Sequence, residues 1–350
     1  MIKCIGTKRD AKGRVLGYYL VDKNKFKRYI EKNKLKALIR AGKFQVVNLT
    51  LTSDNRLVFK DIKGRITNVN QQKEVTPKKS LKEIVLAYGD KGYDYEGLHY
   101  FIEDGKLAVE ALSKEIKTAK ILSGTEIVAA SAFESCTGLN KVVIPGSVMN
   151  IRGSAFCGCS SLSSITIPDS VTSIDNLVFF DCSSLTSITI PKSVTSIGNG
   201  AFWYCNHLKN ITIPDSVTSI GNKAFWYCTR LKSITIPDSV MSISEGAFYG
   251  CCSLTSIEIP DSITNIGATA FCNCNSLTSI VIPDSVTSIG NTAFWGCNSL
   301  TSIEIPDSVL YMGLQVFYGC VDLKSVKIPR RFEHRVHEIF DTENINFDFY

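Results

Sequence analysis

Histidine, methionine and tryptophan are rare in these 350 residues, at four, four and three copies. The four histidines, His99, His207, His334 and His337, do not converge in sequence on any set of cysteines. The pairs Cys157-x-Cys159 and Cys272-x-Cys274 therefore lack the further ligands that zinc needs at workable spacing. A glycine-rich phosphate loop and a nucleophile elbow are also missing, and abundant serine with four scattered histidines is not a catalytic triad. The expectation is a protein that is not an enzyme, with no metal and no cofactor. Nor is there an apolar run of about 18 residues, so nothing is expected to insert in a membrane. Lys3, Lys8, Arg9 and Asp10 interrupt any signal-peptide core, which points to a cytoplasmic chain.

Proline is scarce too, at ten residues, and its placement is informative. Only Pro77 stands alone; the others fall at 145, 168, 191, 214, 237, 260, 283, 306 and 329, always 23 apart. Nine of the 13 cysteines keep the same interval, from Cys136 to Cys320. A fixed period of this length marks a solenoid, in which one coil cannot bury its apolar face without its neighbours. One cysteine per coil at a constant position reads as a stacked, reduced core column. Coils roughly 5 Å apart do not by themselves forbid a disulfide.

Charge divides the chain. Residues 1–82 carry 22 Lys and Arg against 6 Asp and Glu, a net of +16, whereas 83–350 carry 17 against 27, a net of −10. Residues 1–62 read as a small basic α+β domain. Ile2–Thr7 and Arg14–Val21 flank a hairpin signal at Asp10–Gly13, Glu31–Ala41 has a helical stripe in Leu35, Leu38 and Ile39, and Phe44–Leu51 with Leu57–Phe59 suggest a second hairpin. Residues 63–82, polar and basic around Pro77, read as a linker. Residues 83–124 read as an N-terminal cap with a degenerate first coil, 125–329 as the repeats and 330–350 as a C-terminal cap.

Within one coil, Leu208, Ile211 and Ile213 alternate as the inward side of a strand that Pro214 ends. Val194 and Ile197 supply a second apolar segment, and Ala201, Phe202 and Cys205 one face of a helical turn, with Trp203 and Tyr204 pointing out. The unit L-x-x-I-x-I-P-x-S-V-x-x-I-x-x-x-A-F-x-x-C runs from Leu162 to Cys320, with valine for alanine at Val178 and Val316. It resembles the BspA-like class of leucine-rich repeats. The resemblance implies a right-handed, β-rich leucine-rich repeat solenoid with short helical turns per coil and a curved inner sheet, here preceded by the small α+β domain. It also implies a binding role, commonly adhesion or host interaction on bacterial surfaces, and hence a cell-surface or secreted setting as the alternative to the cytoplasm.

Three surfaces are candidates. The residue after each repeat phenylalanine forms an outer aromatic column, Phe180, Trp203, Trp226, Tyr249, Trp295 and Tyr318, suited to a protein or glycan partner. Its plainer reading is self-stacking that shields the coil edge. The outward positions of the inner strands include Thr189, Thr212, Thr235, Glu258, Glu304 and Lys327 and could bind a partner, or form a solvated hydroxyl face. Lys25, Lys27, Arg28, Lys32, Lys36 and Arg40 crowd the basic domain and could track nucleic acid or another polyanion. No nucleic-acid motif accompanies them, so the plainer reading is a soluble charged face. The aspartates that follow the prolines, such as Asp215 and Asp238, read as turn residues rather than calcium ligands.

Overall fold

The computed structural model describes six backbone strands within residues 3–67, and residues 80–88, 92–341 and 345–350. It divides into two compact units, Met1–Lys78 and Lys79–Tyr350. In the first unit, β1 (Lys3–Arg9), β2 (Val15–Val21) and β3 (Lys27–Glu31) form an antiparallel sheet, and β4 (Leu49–Leu51), β5 (Leu57–Lys60) and β6 (Ile66–Thr67) form another. Both expected hairpins are present. Glu31 ends β3 instead of opening a helix, in keeping with the strand preference of the Tyr29–Ile30 pair before it. The rest of the expected helix, 32–41, lies outside the described residues.

The second unit is a leucine-rich repeat solenoid. Its start is closed by α1 (Leu81–Tyr88) and the antiparallel strands β7 (Tyr93–Tyr95), β8 (Leu98–Glu103) and β9 (Lys106–Ala111). From β9 the pairing turns parallel, to Ile127–Val128 and then Asn150–Ile151, so this small sheet is the bridge from cap to coils.

Each coil then contributes to three stacked ladders. The first holds the three-residue strands Ser164–Thr166, Ser187–Thr189, Asn210–Thr212 and Ser233–Thr235, parallel and paired at a shift of 23 residues. Pairing thins to a single bridge at Thr235–Glu258 and resumes with Ser302–Glu304 against Ser325–Ile328. The second ladder is built of two-residue strands such as Ser196–Ile197 and Ser219–Ile220. Between these ladders the proline carbonyl accepts the N–H of the valine three residues on, as in Val217 to Pro214 at 3.0 Å, closing a turn. The side-chain bond at this corner comes from serine: Ser216 Oγ donates to the Val194 carbonyl at 2.7 Å. Asp215 and its equivalents do sit in this turn, as expected, but they stay exposed and, among the described residues, make no side-chain hydrogen bond to their own backbone.

The third ladder corrects the helical turn read from Ala201, Phe202 and Cys205. Cys205 N–H does reach back three residues to the Phe202 carbonyl, but alternate N–H groups leave the coil. Gly200, Phe202 and Tyr204 donate to the carbonyls of Asn222, Ala224 and Trp226 on the next coil at 2.8–2.9 Å. A helix cannot form because two residues per coil, four apart, adopt left-handed backbone; Gly200 (φ 58°) and Tyr204 (φ 62°) are one such pair.

Inside, ten phenylalanines from Phe133 to Phe340 are at most 1% exposed and stack coil on coil, with centroids 5.0–5.8 Å apart. Burying each ring contributes roughly 1.5–3 kcal/mol. The cysteines of the described residues are free. Those of the buried column from Cys159 onward each donate a thiol hydrogen bond to the phenylalanine carbonyl 26 residues earlier, as Cys205 does to Phe179 at 3.2 Å. At the far end, Phe332, Ile339 and Phe340 are buried on the last coil, and Asn346–Phe349 adds a parallel strand beside Ser325–Ile328.

Candidate binding surface

The aromatic column belongs to the third ladder, where the ring-bearing residue sits between the two left-handed positions of its coil. Because alternate N–H groups bond to the next coil, successive rings are held at the coil spacing, within stacking reach of one another. Phe180 meets Trp203 edge-on at 5.4 Å, Trp203 meets Trp226 at 5.8 Å, and Trp226 lies flat on Tyr249 at 3.9 Å. Tyr204 and Tyr227, one residue on, stack beside them at 5.4 Å and widen the strip. Self-stacking is therefore real, yet it does not close the surface: Trp203, Trp226, Tyr227 and Tyr249 stay half-buried and Tyr204 is exposed. Burial, then the neighbouring Cys272 and Tyr227, push the Tyr249 phenol up to about 12.

The strip stops at the next coil. The position there is Cys272, which is buried instead of outward. Beyond it Trp295 is 40% exposed without a ring contact among the described residues, and Tyr318 donates its hydroxyl to the His337 carbonyl at 2.7 Å. The six expected column residues thus split into a contiguous four and two separate ones. Trp203 is also less outward than expected, since its Nε1 is buried and finds no hydrogen-bond partner among the described residues.

Alongside the strip, and spanning the same four coils, lies a cleft of about 400 Å³, lined by Asn176, Asn199, Asn222, Trp203, Lys223 and Glu245 with Leu177 and Gly200. The sequence reading missed these polar residues. Their signal was present in the 23-residue register, which aligns Asn176, Asn199 and Asn222. Asn199 N–H donates to Asn176 Oδ1 at 2.7 Å and Asn222 N–H to Asn199 Oδ1 at 2.8 Å, so the amides of Asn176 and Asn199 are each fixed by the coil that follows. Lys223 holds its ammonium 5.7 Å from the Trp203 ring centre and 5.1 Å from that of Trp226.

On the first ladder, Thr189, Thr212 and Thr235 are exposed and in register, and Glu258 continues the row through its bridge. Glu304 and Lys327 form an ion pair with each other at 2.6 Å, and Lys327 also lies 5.1 Å from the Tyr350 ring centre. That pairing, more than any other cause, raises the Lys327 ammonium above its usual range. The face carries small hydroxyls and a self-neutralised pair, with no large anchor. Of the basic candidates, Lys27 and Arg28 stand on β3, while Lys25, Lys32, Lys36 and Arg40 lie outside the described residues. Among the described residues no three or more His, Cys, Asp or Glu side chains are grouped so as to hold a metal ion, and no helix is long and apolar enough to cross a membrane.

With this geometry in hand, comparison with known families is direct. The model of the BspA type leucine rich repeat region, in six copies, matches residues 111–232 and 219–346. The chain belongs to the BspA-type leucine-rich repeat family. As in that family generally, it is a repeat protein of a kind typically used for binding. Among solved structures, this BspA-type chain is similar to a leucine-rich repeat protein from Bacteroides ovatus ATCC 8483, at 25% identity over 74% of this chain and 99% of that one, with a TM-score of 0.37. It is also similar to the leucine-rich repeat protein of T. pallidum, at 29% identity over 53% and 91%, TM-score 0.49. A third is a leucine rich cell surface protein from Faecalibacterium prausnitzii A2-165, at 23% identity over 73% and 94%, TM-score 0.42. Comparison with curated proteins finds no match.

Proposed function

We propose that this BspA-type protein is a non-enzymatic binding scaffold that holds a protein or glycan partner on its aromatic strip. The observation that carries the reading is the run Phe180–Trp203–Trp226–Tyr249, continuous over four coils and still half-open to solvent. Large rings fixed by their neighbours lose little entropy on contact, which is why such residues anchor interfaces. The first-ladder face has no comparable anchor. The test is capture from cell-surface extract by the immobilised full chain, comparing Trp203→Ala plus Trp226→Ala with Thr189→Ala plus Thr212→Ala. The reading expects the tryptophan pair to lose the captured partner and the threonine pair to keep it; the reverse would move the site to the first ladder.

The net charge of +16 on residues 1–82 favours a second reading, polyanion binding by the basic domain. Neutralising phosphates releases counterions, so such binding must weaken steeply with salt. The full chain should then bind DNA or heparin at low salt, and Lys32→Glu, Lys36→Glu and Arg40→Glu together should abolish it. No retention at low salt would end this reading.

A further inference from the structure

The cleft alongside the strip has more definition than the strip itself. Its asparagines are oriented by the coil stack: the Oδ1 atoms of Asn176 and Asn199 already accept backbone N–H groups. Their –NH₂ groups are therefore left as donors on exposed side chains. Lys223 adds an ammonium that is held over two indole rings and has no ion pair among the described residues. Glu245, on the adjoining coil, supplies a carboxylate acceptor that is also without an ion pair among the described residues. The wall between them is the half-buried Trp203 ring.

These groups select a ligand class. One cation and one anion leave the lining without net charge, so a polyanion would meet Glu245 at a cost that Lys223 alone must offset. The donors and the acceptor surround an aromatic wall, which suits a small ring with an apolar C–H face and hydroxyls around its rim. A peptide anchor would instead require an apolar hole, and the only apolar side chains in the lining are Trp203 and Leu177. The volume of about 400 Å³ falls within the usual span of small-molecule sites, about 300–1,000 Å³.

We propose that this cleft binds the sugar unit of a neutral glycan, with the ring against Trp203, its hydroxyl oxygens accepting from Asn176, Asn199 and Lys223, and one hydroxyl donating to Glu245. The proposal rests on the binding role argued above and names its ligand class. Lys223 is the specific device here. It stands at a left-handed backbone position, φ 58°, where the preceding and following coils carry Gly200 and Gly246. A lysine at that site is disfavoured conformationally, yet it brings the only cation into the cleft.

The test uses the full chain and a printed array of neutral oligosaccharides, followed by tryptophan fluorescence titration with the retained sugars. The expected result is a saturable change in emission that Asn199→Asp weakens about tenfold or more. That variant keeps the Oδ acceptor for Asn222 N–H and turns the free donor into an exposed carboxylate oxygen, so its melting temperature should stay close to the parent's. Lys223→Met should weaken binding likewise. Saturable binding that neither variant changes would overturn the assignment to this cleft. Retention of no neutral sugar, or of acidic sugars or peptides alone, would overturn the ligand class. In either case, loss of partner capture by the Trp203→Ala, Trp226→Ala protein would leave the wider binding reading intact.

Discussion

Trp226 and Tyr249, 23 residues apart, lie face to face with ring centres 3.9 Å apart and planes within 6° of parallel. This contact is the tightest in the aromatic strip, and it depends on a residue that belongs to neither ring. Gly246 carries left-handed backbone at φ 59° against the edge of Trp226. A Cβ there would fall 2.3 Å from Trp226 Cζ3 and 2.6 Å from Cε3.

Gly246→Ala is accordingly expected to cost about 2–4 kcal/mol, combining the left-handed penalty with displacement of the indole. Gly105 provides the control, with φ 72° and nothing within 4 Å of an added Cβ. Gly105→Ala should cost only about 1 kcal/mol, the conformational part alone. Urea unfolding gives the two stabilities and tryptophan emission the ring environment. Emission should shift to the red in Gly246→Ala only; an unshifted spectrum would show that the indole does not rely on the glycine.

The serine corner offers an internal comparison. Ser216 Oγ donates to the carbonyl of Val194, and Val194 is fully buried. Ser308 holds the same place in the last coil, but its Oγ is buried without a partner among the described residues. Ser216→Ala leaves a buried carbonyl unsatisfied and should cost about 1–3 kcal/mol, while Ser308→Ala removes a group already unpaired and should be near neutral. Equal losses in denaturant titrations would mean that both hydroxyls contribute through packing alone.

Much of this architecture could be read from the period. Phe202, Cys205, Leu208, Ile211, Val217 and Ile220 all lie in the core, because a repeated coil must bury the same positions every time. The third wall was less accessible to reasoning from sequence. Ala201, Phe202 and Cys205 have helical spacing, and nothing local announces that Tyr204, Lys223 or Tyr227 takes left-handed backbone. Their conformational cost is offset by hydrogen bonds to the next coil, such as Tyr204 N–H to the Trp226 carbonyl at 2.9 Å, which a single coil cannot reveal. The same limit applies to the cleft. Asn176 and Asn199 carry no signal of their own until stacking fixes their amides in the same cleft as Trp203.

Stacking also makes the cysteine column a pH sensor of folding. Burial is the first cause raising all nine column thiols, from Cys136 to Cys320, above the ordinary 9.0, with Cys159 and Cys320 pushed up to about 12. The folded chain therefore keeps these protons at a pH where the unfolded chain releases them. Stability from this source is fully present below pH 9 and is lost as pH rises toward the folded values. For the eight thiols from Cys159 to Cys320, which are raised far above 9, the slope approaches about 1.4 kcal/mol per pH unit each, so the eight released together on unfolding give about 11 kcal/mol per unit. The urea midpoint should thus stay level from pH 7 to 8.5 and collapse between pH 9 and 10.5. Cys205→Ala should begin less stable, by the cavity it leaves, and lose stability less steeply by about one eighth. Thiolate absorbance measured alongside should rise together with loss of the folded signal. Thiolate formation by the column in a chain that stays folded would show instead that these sulfurs reach solvent without unfolding.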